Sequence, residues 1–347
     1  MTATARIERW TERSRIAVAA VAIIIIALAF GPHFLSAGAT DRLTALFIYV
    51  TLAAMWNALA GFGGLISVGQ QAFFGLGAYL SIRLADAGID PFLSFPIAAI
   101  GVGIAALPLS LPMLRLRGGE FAIGMWVVAE LIHLLVNLDT LVRGETGTSL
   151  ISLNAYETNA RRTYIYWMAL AAMIVLLGAL FTLLRSRTGA AIQALRDDEQ
   201  AAASLGVRVQ RTKRILFVLA AAGAGMAGTL WLATAITFQP KTFFGVQWTA
   251  YMIFMVLVGG IGTFEGAILG AVIFFLAETW FGATGVWYLV GLGAAAVLFS
   301  LLLPRGLWGA IEDRWSLRLL PVGYRVVATG SPASPSGAVA AAGETGR

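Results

Sequence analysis

Glu130, His133 and Asn137 stand at i, i+3 and i+7 in the apolar stretch FAIGMWVVAELIHLLVN, residues 121–137. That spacing places all three on one face of a helix. Glu-x-x-His is a pair used by di-iron helical bundles, but such a site draws further carboxylates from other helices. Here the other apolar segments contribute only Glu265 and Glu278, both near segment ends, and the chain has two histidines, His33 and His133, and no cysteine. Metal catalysis, thiolate chemistry and disulfides are therefore not expected. The two lysines, Lys213 and Lys241, do not follow glycine, so the Gly-Lys-Ser/Thr loop that cradles nucleotide phosphates is missing. The Glu130 face is left with two readings. It lines a translocation route or a subunit interface, because ionisable groups at membrane depth face a bundle interior or water. Alternatively it reaches the headgroups, since Asp139 already opens the next loop.

A second polar set lies in GFGGLISVGQQAFFGLGAYL, residues 61–80, which holds six glycines within seventeen residues and the adjacent Gln70 and Gln71. Glycine at membrane depth permits close packing or local unwinding where neighbours cover the backbone. The two glutamines either satisfy backbone groups freed in that way or line a hydrated path.

The elements that must position these residues are apolar helices. Hydrophobic residues make up 59% of the 347 and charged residues 12%, about half the charge of a soluble domain. The charge is gathered in short clusters between apolar runs long enough to cross a bilayer, and strand-like alternation is absent. The segmentation is 16–34, 43–60, 64–84, 92–114, 120–138, 164–184, 214–235, 247–260, 264–281 and 286–303. The fold class is all-α, a polytopic membrane protein of about ten spans. The segment 16–34 reads as an uncleaved first span in preference to a signal peptide ending at SAGA, residues 36–39. With ten spans the four N-terminal arginines, the RLRGGE turn, the seven basic residues of 185–214 and the basic tail all share one side, so both termini are expected in the cytoplasm. The net charge of +6 then reflects cytoplasmic loops, with no nucleic-acid partner implied. Residues 1–15 form the N-terminal segment, 16–303 the permeating domain with an external loop at 139–163, and 304–347 a tail expected to be disordered beyond about 322. Gly262, Gly266 and Gly270 repeat every fourth residue, a small-residue face for close helix packing, within the subunit in preference to between subunits.

The cytoplasmic loop 185–213, RSRTGAAIQALRDDEQAAASLGVRVQRTK, is the most informative segment. Thr188 is a suitable N-cap for a helix over Gly189–Leu195, Asp197 or Asp198 caps a second through Ala201–Leu205, and Gly206 suits a left-handed terminus. The order Gly189, Ala191, Ala194, Arg196, Asp198, Glu199, Ala201, Ala202, Gly206 resembles the coupling loop in permease subunits of branched-chain amino acid ABC importers. NALAGFGGLISVGQQAFFGLGAYL, RLRGGEFAI and MVLVGGIGTFEGAILGA are similar to three further segments of that family, in collinear order over roughly residues 50–280. The chain departs from the family pattern at Gln70, where histidine is common, at Glu120, where an aromatic is usual, and at RGETGTS, which replaces a glycine-rich external motif. These positions bear on the solute more than on the architecture.

The resemblance implies a non-catalytic, multi-pass subunit of the bacterial cytoplasmic membrane. It implies a second homologous permease, two peripheral ATPases docking on 185–213 with Leu205 and the small alanines at the contact, and an extracytoplasmic solute-binding protein. ATP and magnesium would be held by the ATPases, and this chain would need no cofactor. The solute class would be leucine, isoleucine and valine, with urea, other amino acids and aromatic acids carried by relatives. The rival reading is an ion-coupled secondary transporter using Glu130 and His133 as its relay. An integral membrane enzyme finds no catalytic constellation.

Overall fold

The computed structural model describes residues 4–8, 12–315 and 325–329. Thirteen principal helices follow one another: α1 Glu12–Ala29, α2 Ala37–Asn57, α3 Gln71–Asp86, α4 Pro91–Met113, α5 Gly118–Asn137, α6 Thr158–Arg185, α7 Arg187–Asp197, α8 Glu199–Ser204, α9 Val209–Ala235, α10 Gln247–Gly259, α11 Phe264–Phe281, α12 Val286–Leu302 and α13 Gly306–Trp315. Each of the ten apolar segments overlaps one of them, 64–84 only from Gln71 onward. Among the described residues, eight helices are long and apolar enough to cross a membrane. The expected count of ten adds α1, whose apolar part is Ser14–Ala29, and α3, which is 16 residues long. The thirteen-residue α10 gains span length from the single-turn helix Pro240–Phe243 before it.

The core forms around α9, which packs most extensively on α4 and α3, while α2 lies between α9, α6 and α11. Small residues make this possible. A Cβ at Gly77 of α3 would strike the backbone of Gly225 in α9, and one at Gly228 would strike the Phe74 carbonyl. With no hydrophobic force between helices in lipid, such backbone-to-backbone approach supplies the packing. Gly266 and Gly270 of α11 meet the α10 backbone at Gly259 and Met255 in the same way. Gly262 does not extend their helical face. It sits in the turn before α11 with φ of 75°, because the chain reverses there.

The third span is broken. α2 widens into a π-helical turn over Ala58–Phe62, residues 63–70 are non-helical, and only then does α3 begin. Sixteen helical residues reach about 24 Å, short of the ~30 Å hydrocarbon core, so the non-helical stretch supplies the rest. The tail expected to be disordered lies mostly outside the described residues. Its part Arg325–Thr329 is instead a strand paired antiparallel with Thr4–Glu8.

Candidate functional site

Two polar sites occupy opposite ends of the bundle. On the end carrying the basic loop, α7 and α8 form the two short helices expected there. The N-cap of α7 is Ser186, whose hydroxyl accepts from the Gly189 amide at 3.3 Å, and not Thr188. Residue 186 already has extended backbone where α6 stops, so the cap falls two residues earlier. Asp198 caps α8, accepting from Gln200 and Ala201 at 2.9 and 3.0 Å, and Gly206 takes the left-handed φ of 87°.

The loop residues divide into two sets. Gly189 and Ala202 are buried against the membrane domain, as are Ile192 and Leu195. Ala194 and Ala201 are exposed, Ala191 is half-buried, and Leu205 stands 87% exposed. Leu195 therefore anchors the loop, and Leu205, expected at the docking contact, remains outward. The exposed set is a small-residue surface with one large apolar side chain at its edge.

Charged residues fix this platform. Glu199 takes Lys213, nearly enclosed in α9, at 2.6 Å and lies 3.8 Å from Arg117 in the α4–α5 turn. Arg196 pairs with Asp197 at 2.9 Å and sends Nη1 to the Gly61 carbonyl at 3.1 Å. Gly61 belongs to the π-helical turn, whose neighbour Asn57 accepts from the Gly262 amide at 2.9 Å and donates to the Thr263 carbonyl at 2.8 Å. Arg196 thus joins the two-helix loop to a junction of α2, the broken third span and the α10–α11 turn. The glycine-rich GFGG and GGIGT motifs are distant in sequence and meet at this point. Their meeting explains why both need small residues: a Cβ at Gly61 would run into Gly262.

At the opposite end, the face of α5 is resolved into separate roles. His133 Nε2 lies 2.9 Å from Glu145 Oε1, and Asn137 donates to the same oxygen at 2.6 Å. The Lys241 amide donates to Glu145 Oε2 at 2.9 Å, and the His133 ring stacks on Phe244. Glu145, in the loop 139–163, is the residue missed at the sequence level, because only the tertiary fold brings it back over α5. Burial opposes ionisation of Glu145, but the Asn137 and Lys241 hydrogen bonds and His133 outweigh it and hold its carboxyl below the usual carboxylate range. Asp139 behaves alike. Burial opposes its charge, yet the Tyr79 hydroxyl, the Leu141 amide and Arg83 at 2.7 Å together lower it. His133 and Asn137 therefore fasten the external loop. Glu130 is 3.4 Å from His133 and keeps 59% of its side chain exposed. It stands in a stripe with Ile123, Trp126, Val127, Leu131, Leu134 and Leu138, all exposed.

Gln70 and Gln71 do not face open space. Both are buried, Gln70 donating to the Ala220 carbonyl of α9 at 3.1 Å and Gln71 accepting from Thr249 of α10. They tie the start of α3 to two neighbours, which offsets part of the cost of an amide at membrane depth; Gln70 Oε1 is buried without a hydrogen-bond partner. Among the described residues no group of three His, Cys, Asp or Glu side chains is arranged to hold a metal ion.

This fold, with a docked two-helix platform on one end and a folded loop on the other, defines a polytopic membrane protein. The family described as the branched-chain amino acid transport system permease component matches residues 39–304; the chain belongs to that family. Two curated relatives are the LivM permease proteins of the high-affinity branched-chain amino acid transport systems of Escherichia coli K12 and Salmonella typhimurium, 32% and 31% identical over 250 residues. The match spans 64% of this chain and 59% of the length of those relatives. A solved metal-chelate type ABC transporter in an inward-facing conformation aligns over 86% of this chain and 99% of its own, at a TM-score of 0.47 and 14% identity.

Proposed function

We propose that this chain is a permease subunit of an ABC importer that carries branched-chain or related amino acids across the bacterial cytoplasmic membrane. Family membership over residues 39–304 supports the transporter class. The observation that carries the mechanism is the Arg196–Gly61 hydrogen bond, which links the exposed two-helix platform to the broken span. ATPase subunits, holding ATP and magnesium, would seat on Ala194, Ala201 and Leu205 and move α7 and α8 as a unit. Because Glu199–Lys213 and Arg196–Gly61 fix that unit to α9 and the π-helical turn, its displacement would shift the start of the third span and the α10–α11 turn. The chain would do no covalent chemistry and hold no cofactor.

The exposed α5 stripe supports a second homologous permease as partner. A carboxylate such as Glu130 facing lipid well inside a span costs roughly 2.5–3.5 kcal/mol or more, so protein or a hydrated route covers it. The external loop fastened by Glu145 and Asp139 is the surface offered to a solute-binding protein. The ion-coupled alternative is left with a weak relay, since His133 is held by the loop carboxylate and not by an ion path.

The test is uptake of labelled leucine, isoleucine and valine into proteoliposomes holding this chain, the second permease, the ATPases and the binding protein. ATP-dependent uptake that vanishes without the ATPases is expected. Uptake by this chain alone, driven by a proton or sodium gradient, would overturn the proposal.

A further inference from the structure

Residues 64–69 cross part of the membrane without helical hydrogen bonds, and their burial alternates. Leu65, Ser67 and Gly69 are buried, whereas Gly64 is exposed, Ile66 is 53% exposed and Val68 is half-exposed. This is the pattern of an irregular chain with one covered side. The backbone partners alternate in the same register. The Leu65 amide donates to the Leu59 carbonyl at 2.9 Å, the Ser67 carbonyl accepts from the Trp56 indole at 2.9 Å, and the Gly69 amide donates to the Ser67 hydroxyl. Among the described residues, the amides and carbonyls of Gly64, Ile66 and Val68 have no hydrogen-bond partner. The six unpaired groups belong to the three uncovered residues; because Gly64 is left-handed and the chain bends at Val68, they form an irregular free edge.

The depth of the segment follows from its neighbours. Gly64 lies against Arg196 of the platform, at the basic end of the bundle. A Cβ at Gly69 would meet the Met125 carbonyl of α5, and Gln70 reaches Ala220 of α9, each ~10–16 Å along its helix from the basic end at 1.5 Å per residue. The free edge therefore spans much of one half of the membrane. Lipid offers it no hydrogen bonds, and a neighbouring helix has its own backbone groups already paired. Irregular backbone at this depth is tolerated when it is buried in protein or lines water, and this edge is open.

We infer that Gly64–Gly69 walls the cytoplasmic half of the solute route, with the free edge of Gly64, Ile66 and Val68 as its hydrogen-bonding surface. Each of these residues leaves an N–H and a C=O unpaired. A small zwitterion matches that edge, its carboxylate accepting from the amides and its ammonium donating to the carbonyls. The aliphatic side chains of Ile66 and Val68 suit an aliphatic amino acid. Gly64 has φ of 66°, so the turn into the wall requires glycine there. The inference rests on the proposed import function and adds a place for the solute within it.

The chain has no native cysteine, so single-cysteine variants report without background from this chain, and the same complex built on the cysteine-free parent measures the partners' contribution. Ile66→Cys, Val68→Cys, the buried Leu65→Cys and the exposed Ile104→Cys on α4 are to be assembled with the ATPases and second permease in inside-out vesicles. A charged methanethiosulfonate needs a hydrated thiolate. The variants at 66 and 68 are expected to react at least ~10-fold faster than those at 65 and 104, a factor set by the few-per-cent thiolate available only in water. Leucine added to the vesicles should slow the reaction at 66 and 68. Reaction at 66 and 68 no faster than at 104 would overturn the water-lined wall, and fast reaction untouched by leucine, isoleucine or valine would overturn the solute contact. These readouts do not require transport. Loss of the import reading itself would show separately, as absence of ATP-dependent uptake by the parent complex.

Discussion

α2 with its π-helical turn and α5 are nearly equally apolar, yet most of the first is buried and most of the second is not. Both satisfy the requirement for entering a bilayer, so hydropathy does not separate them. Side-chain size and shape do. α2 carries Thr40, Thr44 and Thr51, the hydroxyls of Thr44 and Thr51 returned to carbonyls four residues earlier, and alanines at 53 and 54. It can therefore be approached from several sides. α5 carries a stripe of bulky Ile123, Trp126, Leu131 and Leu134 around Glu130. Among the described residues no helix covers that stripe, whereas the opposite side of α5 carries buried Phe121, Met125, Val128 and Ala129. In lipid, where burial brings no hydrophobic gain, packing decides which helix is central.

The sharpest break of this comparison is a large side chain at a backbone crossing of the core. Gly228→Leu and Gly77→Leu are expected to abolish folded, monodisperse protein in detergent, since the obstruction is backbone and overpacking exceeds the usual 1–3 kcal/mol. Gly291→Leu in α12, where a Cβ meets open space, should leave the yield unchanged. Equal yields from the two classes would sink the packing account.

Arg196→Ala comes next. It removes one charge-assisted hydrogen bond to Gly61, worth ~1.5–3 kcal/mol, so uptake should fall by roughly 10- to 100-fold. Co-purification of the ATPases should persist, because Ala194, Ala201 and Leu205 are untouched. Loss of ATPase binding would mean that Arg196 shapes the platform and does not couple it.

On the peripheral helix, Glu130→Gln should lower uptake several-fold while assembly stays normal, in keeping with ~0.5–1.5 kcal/mol for a hydrogen bond exchanged. Unchanged uptake would return the stripe to the headgroup reading.

The smallest effect concerns the external loop. Glu145 has its folded pKa below its unfolded value, so the stability it lends is complete above the ordinary carboxylate value of ~4.3. It is lost as pH falls through the lower folded value. Protection of 139–163 from an acid-active protease should hold from pH 7 to 5 and decline below about 4. In Glu145→Gln that decline should be weaker, Asp139 alone remaining. Protection that rises on acidification would contradict the assigned sign.

Several features of the site were legible in the residues. The i, i+3, i+7 spacing placed Glu130, His133 and Asn137 on one helix, and the Asp198–Gly206 signals placed α8. The N-cap of α7 was misplaced because Ser186 and Thr188 are both good caps, and the end of α6 chooses between them. The glutamines at 70 and 71 could be read as path-lining because nothing in the sequence says which way a broken span turns. Glu145 looked peripheral because only the folding back of the loop after α5 carries it onto His133.

The sequence by itself determined that the chain enters a membrane, where its apolar segments lie, and that a capped two-helix platform stands between two of them. These are local properties, decided by transfer of side chains from water and by cap chemistry within a few residues. Only the tertiary structure decided that α2 and α9 are central, that GFGG and GGIGT meet at Arg196, and that one edge of Gly64–Gly69 stays unpaired. Those outcomes depend on which backbones can approach within a glycine's width, and that is settled between segments far apart in the chain.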